Sequence, residues 1–238
     1  MTRRRWIADE VAGNTAALLG DHATHLARVL RAKVGQEFDI ATDGAVRLGR
    51  VTSISKDRVE FALGEELLIK PAPEITLALA IFKFDRLEWA IEKCTEIGVA
   101  RIVPVIARRT DSHLAKAAEK RRERWQRIAN QASEQSRRCT PTEIAAPVKV
   151  RELGSSANLA NQSADRIVLS ESEEATRLRD VVRSQKMVLA IGPEGGWSDD
   201  ELGWFRDSGW TSASLGDTIL RAETAAIVAT ALAFDAMH

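Results

Sequence analysis

Apolar positions along this chain follow two different spacings, and the change between them divides the sequence. Within residues 21–33, Leu26, Val29 and Leu30 recur at the three-to-four spacing of one helix face. Asp21 is placed to cap the start of this helix, and Gly35 stops it. The spacing then shortens, and residues 37–41, 46–55 and 59–63 read as strands. Asp43-Gly44, between the first two, is a hairpin signal because both residues accept the positive φ of a tight turn. Short strands with one helix predict a small barrel over residues 1–70. Lys70-Pro71-Ala72-Pro73 then breaks all periodicity and marks the boundary with a second domain, residues 74–238.

In that second domain strand and helix patterns alternate. A nearly continuous apolar strand over residues 75–82 precedes a helix over 85–97, with Asp85 as its cap and Gly98 closing it. A strand at 101–106 leads to a long charged helix at 116–137, followed by Pro141. Further strands are predicted at 166–169, 186–191 and 211–215, with helices near 173–183 and 198–207 between them. The last helix, 222–234, is apolar on every side and therefore belongs in the domain core or a subunit interface. Alternation of this kind means an α/β domain, a largely parallel sheet with helices on both faces.

Composition narrows the classes. Apolar residues make up 45% of the 238, enough for a substantial core. There is no run of eighteen apolar residues, so no membrane-spanning helix is expected. The basic start, Met1-Thr2-Arg3-Arg4-Arg5-Trp6, lacks the apolar stretch of a signal peptide. The two cysteines, Cys94 and Cys139, have neither metal-ligand nor redox spacing, so no metal is expected and a reducing cytoplasm fits. Net charge is zero, but residues 101–140 hold eleven Lys/Arg against four Asp/Glu, while residues 151–238 hold eight against fourteen. The basic block is either the footprint of a polyanion or a solvated helix face.

Two segments carry the candidate chemistry. Ile191-Gly192-Pro193-Glu194-Gly195-Gly196 and Leu215-Gly216-Asp217-Thr218-Ile219-Leu220-Arg221-Ala222-Glu223 each leave a predicted strand and lead into a helix. Open α/β sheets bind small ligands beyond the carboxyl ends of their strands, so these loops suggest two walls of one pocket. The first is not a phosphate loop: it lacks the GxxxxGK[ST] spacing, and no Lys or Arg lies between Lys186 and Arg206. A neutral or cationic ligand suits Glu194 better. Arg221 and Glu223, at the mouth of the apolar helix, are either a structural ion pair with a favourable N-terminal carboxylate or a catalytic pair on a rigid element.

Taken together, GPEGGWSDDE and LGDTILRAETA resemble the signature of the knotted SPOUT methyltransferases, in particular the RsmE family of 16S rRNA (uracil-N3)-methyltransferases. HLARVLR from His25, KFDRLEW from Lys83, KCTEIGV from Lys93 and QASEQSRR from Gln131 resemble other parts of that family in the same order. The resemblance implies a PUA-like RNA-binding barrel, then a SPOUT domain with a trefoil knot over about residues 166–238, acting as a homodimer on the small ribosomal subunit. It implies S-adenosyl-L-methionine as cofactor. Its wall would be Leu169, Ser170, Glu171, Ile191, Gly192, Pro193, Glu194, Gly195, Gly196, Leu215, Gly216, Ile219 and Leu220.

Methylating N3 of a uracil requires loss of its proton, and Arg221 is the natural stabiliser of the resulting negative charge. The base is open between Glu223, Glu194 and a residue of the partner subunit. Methylation at C5 would instead call for a cysteine nucleophile, and Cys94 and Cys139 lie in helical, packed contexts. His25 shares a polar helix side with Arg28 and Arg31, which the resemblance assigns to RNA. Arg3, Arg4, Arg5, Arg108, Arg109, Arg137 and Arg138 are the further phosphate candidates. Trp6 is either a base-stacking platform or a core aromatic.

Overall fold

A computed structural model describes residues 5–42, 45–68, 73–136, 138–154 and 164–237. Arg3, Arg4 and Arg137, the Asp43-Gly44 turn and Lys70-Pro71-Ala72 lie outside the described residues. The chain forms two compact units, Met1–Pro71 with Ser133–Pro141, and Ala72–Ala132 with Thr142–His238.

The first unit is a six-stranded sheet made of β1 (Arg5–Ile7), β2 (Glu10–Ala12), β3 (Thr15–Leu19), β4 (Glu37–Thr42), β5 (Ala45–Ile54) and β6 (Arg58–Leu67). Its order is β1-β4-β5-β6-β3-β2, antiparallel except where β1 pairs with β4. Strand alternation sends Phe38, Ile40, Val51, Val59 and Phe61 into one core with Trp6, Leu18 and Leu26. Trp6 is thus a core aromatic, with the His25 ring 5.8 Å from its own. The predicted helix is present in altered form. A short α1 (Gly20–Thr24) continues as a wider π turn, His25–Val29, and Arg31 then takes a left-handed backbone with φ of 52°. Asp21 does not cap it: Leu19 holds that position, with no side-chain cap. Asp21 sits two residues too late and contributes only its charge to the first turn.

What ties this unit's segments together is a charged triad. The His22 ring lies between Asp9 (Nδ1 3.0 Å from both carboxylate oxygens) and Glu134 (Nε2 2.8 Å from Oε1). Leu19 N–H also donates to Asp9 Oδ2 at 2.8 Å. Hydrogen bonds to the two carboxylates raise the His22 pKa from 6.5 to about 10.

The second unit is built on seven parallel strands. These are β7 (Glu74–Ala80), β8 (Arg101–Ile106), β9 (Glu143–Ile144), β10 (Val148–Lys149), β11 (Asp165–Leu169), β12 (Lys186–Ile191) and β13 (Thr211–Ala213). The order is β10-β8-β7-β12-β11-β13, with β9 also beside β8. Alternation sorts β7 into two faces: Ile75, Leu77 and Leu79 join one core, and Ala78 and Ala80 the other. The first face is covered by α2 (Phe84–Ile97), α3 (Ser112–Gln135) and α6 (Ala222–Ala236) through Leu87, Ile91, Trp125, Ala226 and Ala229. On the second face Phe205 of α5 (Asp199–Asp207) packs between Trp197 and Trp210, ring centroids 5.0 and 4.9 Å away.

Several local expectations need correction. Lys83, not Asp85, occupies the cap position of α2, and no side chain caps it. The helix expected over 173–183 shrinks to α4 (Leu178–Val181). Glu173 Oε1 accepts from the N–H groups of Ala175 and Thr176, an alternative to helical bonding. Thr176–Leu178 backbone then pairs with Ser214 instead. Helix α6 is not buried on every side within one chain: Ala226, Ala229 and Ala233 are buried, but Ala231 and Leu232 are exposed. Its buried side meets α2 where Gly98 has φ of 130°, and a Cβ there would lie 2.6 Å from Phe234 Cζ. Ring contact with bare backbone is what lets the two helices approach.

The raised pKa fixes the sign of a pH effect. The His22 contribution is fully present below its unfolded value of 6.5 and is lost as pH rises towards about 10. His22→Gln should lower stability by about 1 kcal/mol at pH 6, a partly exposed charged pair being worth no more. Urea titrations of both proteins should converge as pH approaches 10; a gap independent of pH would exclude an ionised His22 as its cause.

Candidate active site

All strands of the second unit run the same way, so the loops following them emerge at one edge of the sheet. Neighbouring β12, β11 and β13 deliver the three predicted segments side by side. Leu169 ends β11 and is followed by Ser170 and Glu171; Ile191 ends β12 and is followed by Gly192–Gly196; Ala213 ends β13 shortly before Leu215–Leu220. The ends of β7 and β8 stand at the same edge and bring Arg86, Arg108 and Arg109.

The first loop is anchored at Pro193, Glu194, Gly195 and Gly196. Pro193 is buried and its carbonyl accepts from Gly196 N–H at 2.8 Å, closing a tight turn. Gly196 carries the cost of that turn, with φ of 69° and Glu171 Oε1 2.8 Å from where a Cβ would stand. Gly195 has an ordinary backbone, and its Cβ would come no nearer than 3.4 Å to Arg109 Cδ. Arg109 Nη1 donates to the carbonyls of Gly195 and Trp197, and Trp197 Nε1 donates to Leu169 O at 3.2 Å. Arg86 Nη1 is 2.9 Å from Glu194 Oε1.

Downstream, Ser198 caps α5 in a reciprocal capping box with Glu201. Glu201 is buried, and a buried carboxylate needs donors. It has them: Oε1 accepts from Arg108 N–H at 2.8 Å, and Oε2 from Ser198 N–H at 2.9 Å and Oγ at 3.0 Å. The GPEGGWSDDE segment is therefore fastened to the start of α2 and to the ends of β8 and β11 at once.

The second loop is more open. Ile219 is 83% exposed, and Leu215 and Leu220 are partly so. Asp217 Oδ1 pairs with Arg177 Nη2 at 2.6 Å. Arg221 sits at the cap position of α6, exposed, and its side chain has no hydrogen bond or ion pair to another described residue. It is not the partner of Glu223. That carboxylate is 5% exposed, its Oε1 lies 3.7 Å from Arg86 Nε, and its Oε2 is buried without a hydrogen-bond partner. Two site residues thus escaped the reading of motifs, Arg86 and Glu201, while Arg109 was read only as a phosphate candidate. Arg86 and Glu201 stood inside the quoted motifs, but a contact such as Arg86–Glu194, 108 residues apart, has no local signal.

The remaining candidates are spread out. His25, Arg28 and Arg31 are exposed on the π turn and just after it, while Arg5 is partly buried with Nη1 3.4 Å from Cys139 Sγ. Arg108 is exposed, 3.5 Å from Asp200. Arg138 is partly buried, which pulls its pKa below the usual arginine value, and its Nε donates to Thr140 O at 3.3 Å. Cys94 is fully buried and burial pushes its thiol up to about 12, so it is a packing residue and not a nucleophile. Among the described residues no three His, Cys, Asp or Glu side chains gather to hold a metal, and no helix is long and apolar enough to cross a membrane.

Residues 70–233 match an RNA methyltransferase domain, and residues 18–63 an RNA methyltransferase PUA domain. Among curated relatives, the ribosomal RNA small subunit methyltransferase E of Rickettsia conorii is 34% identical over 96% of this chain and 93% of its own. That of Aquifex aeolicus is 30% identical over 92% and 94%. Among solved structures, ribosomal RNA small subunit methyltransferase E from Neisseria gonorrhoeae, bound to S-adenosyl methionine, superposes with a TM-score of 0.81 at 30% identity, covering 96% of this chain and 95% of that one. A putative methyltransferase from Legionella pneumophila in complex with the same cofactor gives 0.80 at 28% identity, covering 98% and 97%. With its two domain matches in order and relatives along almost its whole length, the chain belongs to the RNA methyltransferase family of the ribosomal RNA small subunit methyltransferase E proteins.

Proposed function

We propose that this protein methylates N3 of a uridine in 16S ribosomal RNA of the small subunit, with S-adenosylmethionine as donor. The observation that carries the reading is the convergence of three strand-end loops at one sheet edge, beside an exposed arginine with no partner among the described residues. The residues there fit the cofactor. Glu171 and Glu194 are exposed carboxylates suited to a cation, Leu215, Ile219 and Leu220 offer open apolar surface to a purine, and the loops offer backbone donors and acceptors.

When bound, S-adenosylmethionine supplies an electrophilic methyl group and leaves as a neutral thioether. The protein's part is placement and electrostatics. Arg221 faces the negative charge that uracil develops as N3 loses its proton. Of the two carboxylates on this chain, Glu223 is the better acceptor for that proton, because its Oε2 is unengaged while Glu194 is held by Arg86. The exposed cations His25, Arg28 and Arg31 hold RNA phosphates, with Arg108 and Arg138. Arg5 and Arg109 serve structure, given their protein contacts.

Two wider features belong to the same reading. The C-terminal residues form a trefoil knot; in support, the chain returns from the outermost strand β13 to pack α6 against α2. The protein is a cytoplasmic homodimer; in support, α6 and α2 leave Leu232 and Trp89 38% and 48% exposed, apolar surface that a second copy would cover. Leu232→Asp should then shift the sedimenting species to a monomer, and a wild-type mass of one chain at all concentrations would exclude the dimer.

Gly196→Ala should weaken S-adenosylmethionine binding at least tenfold, since a side chain here combines left-handed strain with the Glu171 contact. Calorimetry giving an unchanged affinity would remove this loop from the site. Nucleoside mass spectrometry of 16S rRNA should show one N3-methyluridine that disappears in cells lacking the gene. Arg221→Ala should restore it about a hundredfold more slowly at equal cofactor affinity, the scale for losing one transition-state charge stabiliser. Normal turnover by Arg221→Ala would show that another group stabilises the uracil charge.

A further inference from the structure

Arg86 reaches two carboxylates, one on a loop and one on a helix. Its Nη1 lies 2.9 Å from Glu194 Oε1 in the loop after β12, and its Nε lies 3.7 Å from Glu223 Oε1 in the first turn of α6. Arg86 itself belongs to the first turn of α2, whose position is set by Leu87 and Ile91 in the main core. One guanidinium therefore joins three separately packed elements at the edge where the three loops converge.

The energetics make this contact more than a surface pair. The Glu223 side chain is 7% exposed, and among the described residues Arg86 is the cation within ion-pair distance of it. A buried carboxylate stripped of its counter-charge is strongly destabilising. The geometry also selects arginine: a planar fork presents Nη1 and Nε in different directions, whereas a lysine ammonium is a single point on a flexible stem. Glu223 meanwhile keeps Oε2 unpaired and buried, an arrangement that a purely structural ion pair would not need.

We infer that Arg86 is a positioning residue for methyl transfer: it fixes Glu223 with one oxygen held and the other free, and in the same act fastens Glu194 and the first loop against the second. This rests on the methyltransferase reading of the sheet edge. Arg86 touches neither substrate nor cofactor in this role; it acts through Glu223 and Glu194.

Two measurements test it. The first uses the protein without cofactor or RNA: urea unfolding of wild type, Arg86→Gln, Glu223→Gln and the double variant. The double variant should be at least as stable as Arg86→Gln alone, because removing the carboxylate relieves the uncompensated charge. Strictly additive losses would overturn the clamp. The second compares Arg86→Lys with wild type for S-adenosylhomocysteine affinity and for steady-state methylation of small ribosomal subunits. Arg86→Lys keeps the charge and should fold normally, with KM for the subunit unchanged and kcat lowered at least tenfold. Wild-type kcat in Arg86→Lys would reduce Arg86 to a structural residue. Wild-type protein that neither binds S-adenosylhomocysteine nor methylates subunits would defeat the methyltransferase reading and the positioning role with it, while the unfolding cycle still decides whether the clamp exists.

Discussion

One ladder of hydrogen bonds stands beneath the residues gathered at the sheet edge of the second unit. Strand β12 pairs in parallel with β7 on one side, Lys186 to Ile191 against Glu74 to Leu79, and with β11 on the other. Parallel pairing admits no choice about which ends come together. Once β12 is in register, the loops after β7, β12 and β11 share an edge, and β13 beside β11 adds the fourth. The side chains of the ladder, large on one face of β7 and small on the other, hold that register by refusing a one-residue slip.

Charge at that edge is arranged around carboxylates, not cations. Glu201 is buried and met by three donors, Glu223 is buried and met by Arg86, and Glu194 stands outside with the same arginine. The basic block of residues 101–140 looks different in this light. Arg109 is engaged by two carbonyls, Arg121 and Arg124 by Glu88, and Arg122 by Ile144 O. A segment's formal charge therefore overstates what it offers to a nucleic acid. Neither the polyanion footprint nor the solvated face describes these side chains fully, since they neutralise or cap the protein's own groups.

The alternation of strands and helices in the second unit was legible because buried parallel strands are continuous apolar runs, and 75–82 or 186–191 allow no other reading. The GPEGG and LGDTILRAETA segments were legible because loop chemistry is local. Less visible was whatever depends on a distant partner. Strands β1–β3 are three to five residues long, and every residue of Glu10–Ala12 is exposed, so no periodicity marks them. Asp21 and Asp85 are good capping types, each two residues past the cap position of its helix, a displacement set by tertiary packing. The helix expected at 173–183 lost to the Ser214 edge, which competes for the same backbone groups.

The last helix of the second unit closes on its first, α6 on α2. Thr230 donates to Cys94 Sγ, Phe234 covers Gly98, and Gln185 donates to Met237 O beside the strand that completes the sheet. The buried side of α2 is thus finished only by residues more than a hundred positions later in the chain. During synthesis the N-terminal strands can pair as they emerge, but β7 must wait more than a hundred residues for β12, and α2 longer still for α6. Contacts so remote in sequence make folding slow, because chain entropy is surrendered before they form. A chain stopped before β12 and α6 would present β7 and the apolar face of α2 uncovered, so the core of the methyltransferase unit closes only once those later elements have been made.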